Sequence, residues 1–320
     1  MQAVRVVASC TQGKKLPVPS DLRLGGISHT SLTHRLAIWK DRLQHSEAAP
    51  MAAVDLYRGH HWAVVRELPG VAQAAGHEAD LWVASAGYGL VPASAQIRPY
   101  SATFAASEAD SVWRPGDGNR HRTLQSWWQG LQEMTGSAAG APRSLSALAR
   151  MDPDAVLLVI ASPAYIAAMA DDLAEARACL TDPQRLIVIS RRHNSLAEWL
   201  VPHLVPSEAP LSGTLGGSRG SLHARTARRV LQEAVVVPLR ADVLVPHYEH
   251  LLSTMESATV PARLKLADEE VRGFIREAIA GNESLTCTAA LRSLRKAGQA
   301  CEQSRFAGLY AEVRGMADVA

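Results

Sequence analysis

Nucleophilic and polar side chains follow the first apolar segment of the chain. Residues 4–9 form a β-branched run, and Ser9, Cys10 and Lys15 lie at its end or in the turn-like stretch behind it. A cysteine becomes a nucleophile when a neighbouring base removes its thiol proton. The candidate bases are His29, His34, His60 and His61, and spacing selects none of them. A cysteine without catalytic duty therefore stays open as the alternative.

Polar residues also follow two later strand-like segments. Ser85 and Tyr88 come after one of them, and Ser190 and Arg191 come after another. In open α/β sheets, ligands bind beyond the carboxyl ends of the strands. We therefore expect these groups to meet Cys10 at one edge of a sheet. A solvated loop residue is the alternative for each of them.

A long polar loop, residues 91–122, supplies a candidate carboxylate. Loops of this length are commonly functional or disordered. Asp110 lies inside the loop, where it could activate water or stabilise a cationic transition state, and a turn or cap aspartate is the alternative. Four aromatic residues lie in or near the loop, and they either stack on a base or form part of a core. They are Tyr100, Trp113, Trp127 and Trp128.

Basic residues are unevenly divided between the two types. Of the 33 basic residues, 28 are arginine and 5 are lysine. A GC-rich genome explains such a bias, and so does phosphate binding, because guanidinium presents a fork of donors. Candidate phosphate contacts are Arg219 in the glycine-rich stretch 213–220, Ser221 and Arg225 in the following helix, and Arg292, Arg295 and Lys296 on one face of a C-terminal helix.

The apolar pattern predicts an α/β fold. Four strand-like runs, at residues 4–9, 81–85, 155–161 and 186–190, alternate with helical segments. Continuous apolar strands separated by helices indicate a mainly parallel sheet with helices on both faces.

The domain prediction has three parts. Residues 1–205 form the α/β core, and residues 206–265 form a linking region with a Gly/Ser-rich loop and a basic helix. Residues 266–320 form a helical, winged-helix-like part that binds nucleic acid.

Length and composition exclude several classes of protein. The chain has 320 residues and a formal net charge of +2, and no apolar run is long enough to cross a membrane. The first residues lack the layout of a signal peptide. The four cysteines form no CxxC pair, which argues against a structural zinc site or a disulfide framework and favours a cytoplasmic location.

Four motifs occur in order between residues 4 and 130. They are Ala8-Ser9-Cys10 with Lys14-Lys15, then Asp55-Leu56-Tyr57-Arg58-Gly59, then Ala84-Ser85-Ala86-Gly87-Tyr88-Gly89-Leu90, then Ile97-Arg98-Pro99-Tyr100-Ser101-Ala102-Thr103-Phe104. With them the chain resembles a bacterial domain family that is similar to YaaA-like peroxide-stress proteins and to the core domain of archaeosine synthase. Both have been likened to uracil-DNA glycosylases.

The resemblance implies a uracil-DNA-glycosylase-like fold and a link to anti-phage DNA glycosylases that remove modified bases. The Gly-Gln-Asp-Pro-Tyr and His-Pro-Ser-Pro motifs of true uracil-DNA glycosylases are absent from the sequence. The catalytic carboxylate is therefore not carried over from those enzymes.

The resulting hypothesis is a DNA glycosylase that flips a modified base out of double-stranded phage DNA and hydrolyses its N-glycosidic bond. No metal or other cofactor is expected. The expected catalytic residues are Asp110, Cys10 and Ser85; the expected substrate-binding residues are Ser9, Lys15, Tyr57, Arg58, Tyr88 and Tyr100; the expected DNA-binding residues are Ser190, Arg191, Arg219, Ser221, Arg225, Arg292, Arg295 and Lys296. The alternatives are a non-catalytic DNA-binding stress or defence protein and a hydrolase of free nucleosides or nucleotides.

Overall fold

The computed structural model describes residues 2–28, 31–134, 140–194, 196–255 and 264–317. The chain divides into two compact units at residues 257 and 258. The histidine at position 29, one of the candidate bases, lies outside the described residues.

The strands of the first unit are β1 (Ala3–Ser9), β2 (Met51–Ala52), β3 (Glu78–Ser85), β4 (Gly89–Pro92), β5 (Gln96–Ile97), β6 (Val156–Ile160), β7 (Leu186–Ser190) and β8 (Leu204–Pro206). Its helices are α1 (Leu32–His45), α2 (Ala53–Leu56), α3 (His60–Val65), α4 (Leu68–Ala74), α5 (Arg120–Gln132), α6 (Leu145–Met151), α7 (Pro163–Ala168), α8 (Ala170–Cys179), α9 (Leu211–Leu215), α10 (Leu222–Glu233) and α11 (Ala241–Thr254).

The central sheet of the described chain has six strands in the order β4-β3-β1-β6-β7-β8. All neighbouring strands run parallel except β3 and β4, which pair antiparallel. Val4, Val6, Val7 and Ala8 of β1 are fully buried. Successive residues of a strand point to opposite faces, so the sheet is covered on both sides. The prediction of an α/β fold with a mainly parallel sheet is confirmed.

Buried polar contacts hold the helices to one another. The carboxylate of Asp172 in α8 accepts hydrogen bonds from the backbone amides of Leu145 and Ser146 at the start of α6, at 2.9 and 3.0 Å, and from the indole nitrogen of Trp128 in α5 at 2.9 Å. The first amides of a helix have no partner inside the helix. Asp172 supplies that partner and fixes three helices around one side chain.

Residues 206–255 do not form a separate linking region. Leu222 and Val230 of α10, together with Leu244 and Tyr248 of α11, belong to the same buried cluster as the central sheet. The apolar face of a basic helix packs onto the core here, so the composition change near residue 205 marks a surface loop rather than a domain boundary.

The second unit contains β9 (Leu264–Lys265), α12 (Asp268–Gly281), α13 (Cys287–Lys296), β10 (Gln299–Ala300) and α14 (Gln303–Ala317). Thr286 caps α13 by accepting a hydrogen bond from the Ala289 amide. Val271, Ile275, Leu294 and Phe306 form part of its own small core. β9 and β10 pair in parallel, so the described part of this unit lacks the antiparallel hairpin of a winged helix.

Candidate functional site

The carboxyl end of β1 brings Cys10 beside the end of β3. The Cys10 amide donates to the Ala84 carbonyl at 2.9 Å, which extends the strand pairing by one residue. Ser85, the last residue of β3, is completely buried, whereas Cys10 is only half-buried. The two residues predicted to meet at this edge therefore do so.

Tyr100 connects these two residues through its hydroxyl. The Tyr100 hydroxyl lies 2.7 Å from Ser85 Oγ and 3.0 Å from the Tyr57 hydroxyl, and it donates to Cys10 Sγ at 3.3 Å. Since the single Tyr100 proton points to sulfur, Ser85 and Tyr57 act as donors to the Tyr100 oxygen. Tyr165 completes the contacts, with its hydroxyl 3.0 Å from Cys10 Sγ. We call Cys10, Tyr57, Ser85, Tyr100 and Tyr165 the thiol–tyrosine cluster.

The three tyrosines of the cluster stay neutral phenols at physiological pH. Burial raises the pKa of Tyr57, Tyr100 and Tyr165 well above the ordinary value, and a negative charge on Cys10 would raise it further. Each therefore keeps a proton to donate. The half-buried sulfur sits where two hydroxyls converge, a geometry that suits a hydrogen-bonded thiol or thiolate.

Backbone contacts close the turn that carries Cys10. Lys14 pairs with Tyr57 as an antiparallel bridge, and the Lys15 amide donates to the Leu56 carbonyl at 2.8 Å. The Arg58 amide donates to the Gly13 carbonyl at 3.0 Å. The segment around Tyr57 thus holds the turn against the cluster.

Lys14, and not Lys15, is the buried amine of this turn. Lys14 is 7% exposed, and its Nζ lies 4.4 Å from the ring centroid of Tyr100. Burial lowers the pKa of Lys14, while nearby Cys10 and Asp110 act in the opposite direction. Lys15 points to solvent and lies 3.9 Å from Asp55. Adjacent residues of an extended segment point to opposite sides. The side chain of Lys14 therefore points into the site, and that of Lys15 points into solvent.

Asp110 is close to the site but is not hydrogen-bonded to the thiol–tyrosine cluster in the described structure. Its Oδ1 accepts from the Gly25 amide at 2.8 Å, and its Oδ2 lies 4.0 Å from Arg23. Its side chain is 17% exposed. Asp110 thus holds the long loop against the segment around Gly25. Its negative charge acts on the amine of Lys14, whose pKa it raises.

Other expected substrate contacts differ in exposure. Ser9 is 7% exposed, and Arg58 is exposed beside the turn. Tyr57 and Tyr100 are buried to 1% and 0% exposure. Stacking of a base on either ring is therefore blocked in this structure, and these tyrosines present hydroxyls rather than open faces. Tyr88 is 4% exposed, and its hydroxyl accepts from the Arg98 amide.

The tryptophans of the long loop and of α5 pack in the hydrophobic core or against it. Trp127 and Trp128 are 0% and 1% exposed, and Trp127 donates its indole N–H to the Ala86 carbonyl at 2.8 Å. Trp113 is partly buried against the same core. The stacking alternative is therefore wrong for Trp127 and Trp128.

A second polar group lies at the same edge of the sheet. Ser190, at the end of β7, is 1% exposed, and its hydroxyl has no hydrogen-bond partner among the described residues. His61 and His223 are electrostatic neighbours, and Arg191 adds positive charge beside His223. Burial lowers the pKa of each histidine to about 4. Both imidazoles are therefore neutral at pH 7.

The glycine-rich loop before α10 encloses an arginine. Arg225 is 5% exposed; it donates to the Ser218 carbonyl at 2.6 Å and to Ser221 Oγ at 3.2 Å. The expectation that Arg225 meets phosphate from the surface is thus corrected, because its guanidinium lies under Gly217. Ser221 is also buried, whereas Arg219 is exposed.

The basic helix α13 of the second unit carries an open groove. Arg292, Arg295 and Lys296 line a groove of about 490 Å³, together with the apolar side of Leu291. None of the three cations has an ion-pair partner among the described side chains of this unit. Arg305, by contrast, is paired with Asp268.

A glycine beside the cluster provides a stability test. A Cβ on Gly87 would lie 2.5 Å from the Tyr100 ring and 3.2 Å from Trp39. We expect Gly87→Ala to displace Tyr100 and to lower the free energy of unfolding by about 1–3 kcal/mol in urea denaturation. Gly70→Ala is the matched control, since nothing lies within 4 Å of its Cβ and alanine favours the helix by up to about 1 kcal/mol. Equal stability of both variants would contradict the close packing.

Sequence reasoning missed three residues of this edge and did not select a fourth. Lys14, Tyr165 and His223 were not singled out, and His61 was named only as one of several bases. Tyr165 carried a usable signal, because it lies five residues beyond β6, which neighbours β1. His61 and His223 come from separate helices and carried none.

Comparisons with family models, with curated proteins and with solved structures find no match for this chain. In the described part of the chain, no three His, Cys, Asp or Glu side chains are grouped to hold a metal ion. No described helix combines the length and apolar character that crossing a membrane requires.

Proposed function

We propose that the protein is a DNA glycosylase with a uracil-DNA-glycosylase-like core, which hydrolyses the N-glycosidic bond of a modified base in phage DNA and leaves an abasic site. One observation carries the proposal. The four motifs that resemble the glycosylase-related family supply Cys10, Tyr57, Ser85 and Tyr100, and these four side chains lie in one hydrogen-bond network.

The site chemistry suits departure of a base from a sugar. Breaking the glycosidic bond leaves negative charge on the base and positive charge on the sugar. Cys10, the half-buried member of the cluster, and the donors behind it would stabilise the departing base. Asp110 would stabilise the sugar cation or orient water.

Reaching such a site requires base flipping, because the bond is hidden in a duplex. Lys15 and Arg58 lie beside the turn and are exposed, and Arg191 and Arg219 are exposed elsewhere in the same unit. These cations are available for flanking phosphates, whereas the buried Arg225 would support the loop that presents Arg219.

The basic groove of α13 favours nucleic acid over a free nucleoside. A hydrolase of free nucleosides does not need three cations that lack ion-pair partners among the described side chains of a separate helical unit. The same groove supports the second candidate, a DNA-binding defence protein without catalysis, since it needs only the basic surface.

Purified full-length protein incubated with base-modified phage DNA separates the candidates. Free base is measured by mass spectrometry, and abasic sites are measured by all strand breaks present after alkali treatment. We expect both in equal amounts, with release slowed at least about 100-fold by Asp110→Asn. Asparagine keeps an oxygen for the Gly25 amide, so the loop is retained. DNA binding without base release would support the non-catalytic candidate, and release from free nucleosides without DNA affinity would support the third.

A further inference from the structure

The amine of Lys14 is surrounded by a backbone carbonyl and two tyrosine rings, and no described carboxylate pairs with it. Nζ donates to the Thr11 carbonyl at 2.9 Å and lies 4.4 and 5.5 Å from the ring centroids of Tyr100 and Tyr57. Among the described side chains, no Asp or Glu oxygen lies within ion-pair distance of Nζ. Enclosure without a counter-ion penalises the charged form. This lowers the Lys14 pKa and enlarges the neutral fraction, which is the nucleophilic form.

Only a thin layer of chain covers this amine. Gln12 is exposed and Thr11 and Gly13 are half-buried, so Nζ lies directly under the turn that joins β1 to the cluster. Lys15 and Arg58 are exposed beside the same turn. Because Lys14 is 7% exposed and its Nζ is bonded to the Thr11 carbonyl, an abasic sugar held at these cations reaches Nζ only when residues 11–13 move aside.

We propose that Lys14 is an amine nucleophile toward the aldehyde of an abasic deoxyribose, so that the protein also cleaves the DNA strand at the site it creates. This activity rests on the proposed function for its physiological substrate. Asp110, which shares the electrostatic environment of Lys14, would favour the cationic imine.

The reaction balances without an oxidant or reductant. The Nζ lone pair attacks C1′ of the ring-opened sugar, and loss of water gives a protonated Schiff base. A C2′ proton passes to solvent water, and the C3′–O bond breaks with its electron pair on the departing phosphate. Water then hydrolyses the imine and restores the amine, leaving an unsaturated aldehyde on one strand end and a 5′-phosphate on the other.

The test uses the full-length protein and an end-labelled duplex containing a single abasic site, so it bypasses base excision. With borohydride we expect a covalent protein–DNA adduct, and peptide mass spectrometry is expected to place it on Lys14. Without borohydride we expect a nicked strand. Lys14→Gln is expected to lower both more than about 100-fold, whereas Lys40→Gln, at a lysine of α1 whose amine pairs with Glu133, keeps them.

The adduct position keeps the test decisive if Lys14→Gln fails to fold, because it is read on the wild-type protein. An adduct on Lys15 or on the N-terminal amine, or no adduct, would overturn the inference. Base release from modified DNA without any adduct would leave the glycosylase proposal standing while the lyase proposal falls. An adduct on Lys14 without base release would support the lyase proposal and contradict the glycosylase proposal.

Discussion

Asp117→Ala is expected to lower the free energy of unfolding by about 3–5 kcal/mol. Arg35 donates to both Asp117 oxygens, at 3.0 and 2.6 Å, and the two side chains are 1% and 7% exposed. Asp117 also accepts from the Arg114 amide at 2.8 Å. Removing the carboxylate takes away the ion pair of a buried guanidinium, and the bond from Arg35 to the Val112 carbonyl is the contact between α1 and the long loop that remains at this side chain. Urea denaturation measures the loss.

Two controls isolate this burial effect. Asp41→Ala removes an exposed partner of His45 from the same helix, and it is expected to cost less than about 1 kcal/mol. The double variant Arg35→Met with Asp117→Leu replaces both charges by apolar groups and is expected to be more stable than Asp117→Ala alone. A cost for Asp117→Ala no larger than for Asp41→Ala would contradict the buried pair.

Mild acid is expected to destabilise the protein through His61 and His223. Burial lowers the pKa of both from 6.5 to about 4 in the folded state. The unfolded chain therefore binds protons as pH falls below 6.5 while the folded chain does not. The contribution of these histidines to the free energy of unfolding is fully present above pH 6.5 and is lost as pH falls toward 4. The loss is roughly 2 kcal/mol per histidine at pH 5. Urea denaturation between pH 7 and pH 4.5 measures this slope.

The pH range distinguishes the histidines from the buried carboxylate. The hydrogen bonds and charge of Arg35 outweigh burial and lower the pKa of Asp117 below 3.8, so its contribution is lost only at lower pH. His61→Gln and His223→Gln are each expected to flatten the slope between pH 6.5 and 4. His250→Gln, at an exposed position of α11, is expected to leave it unchanged. An unaltered slope in both buried variants would contradict their neutral burial.

The sheet could be predicted from the sequence because its strands are uniformly apolar. The runs at residues 4–9, 81–85, 155–161 and 186–190 correspond to β1, β3, β6 and β7. Burial on both faces demands such runs in a parallel sheet. In the structure β1 pairs with β3, which places Cys10 beside Ser85 as expected. Tyr57 and Tyr100, the other two members that were named in advance, came from the motif segments.

Side-chain direction in irregular segments could not be predicted. Lys14 and Lys15 are adjacent and chemically equal in the sequence, and only the bridge to Tyr57 decides which one is buried. Arg225 offers a similar case, since its burial depends on the left-handed turn at Gly216 and Gly217 above it. Composition alone favours the surface for both residue types.

The change in composition near residue 205 was misleading for a related reason. Glycine, serine and proline are enriched both in linkers and in loops that cover a core. The apolar residues of α10 and α11 are the better guide, because they complete the cluster around the central sheet.

Single-turnover base release by Cys10→Ala decides whether the thiol–tyrosine cluster is the reaction site. With base-modified phage DNA in the presence of excess full-length protein, the release rate is expected to fall more than about 100-fold relative to wild type. DNA affinity and urea midpoint are expected to change little, and Cys179→Ala, at a half-buried cysteine of α8, keeps the wild-type rate. A folded Cys10→Ala protein that releases base as fast as wild type, or a wild-type protein that binds the DNA and releases no base, would contradict the assignment.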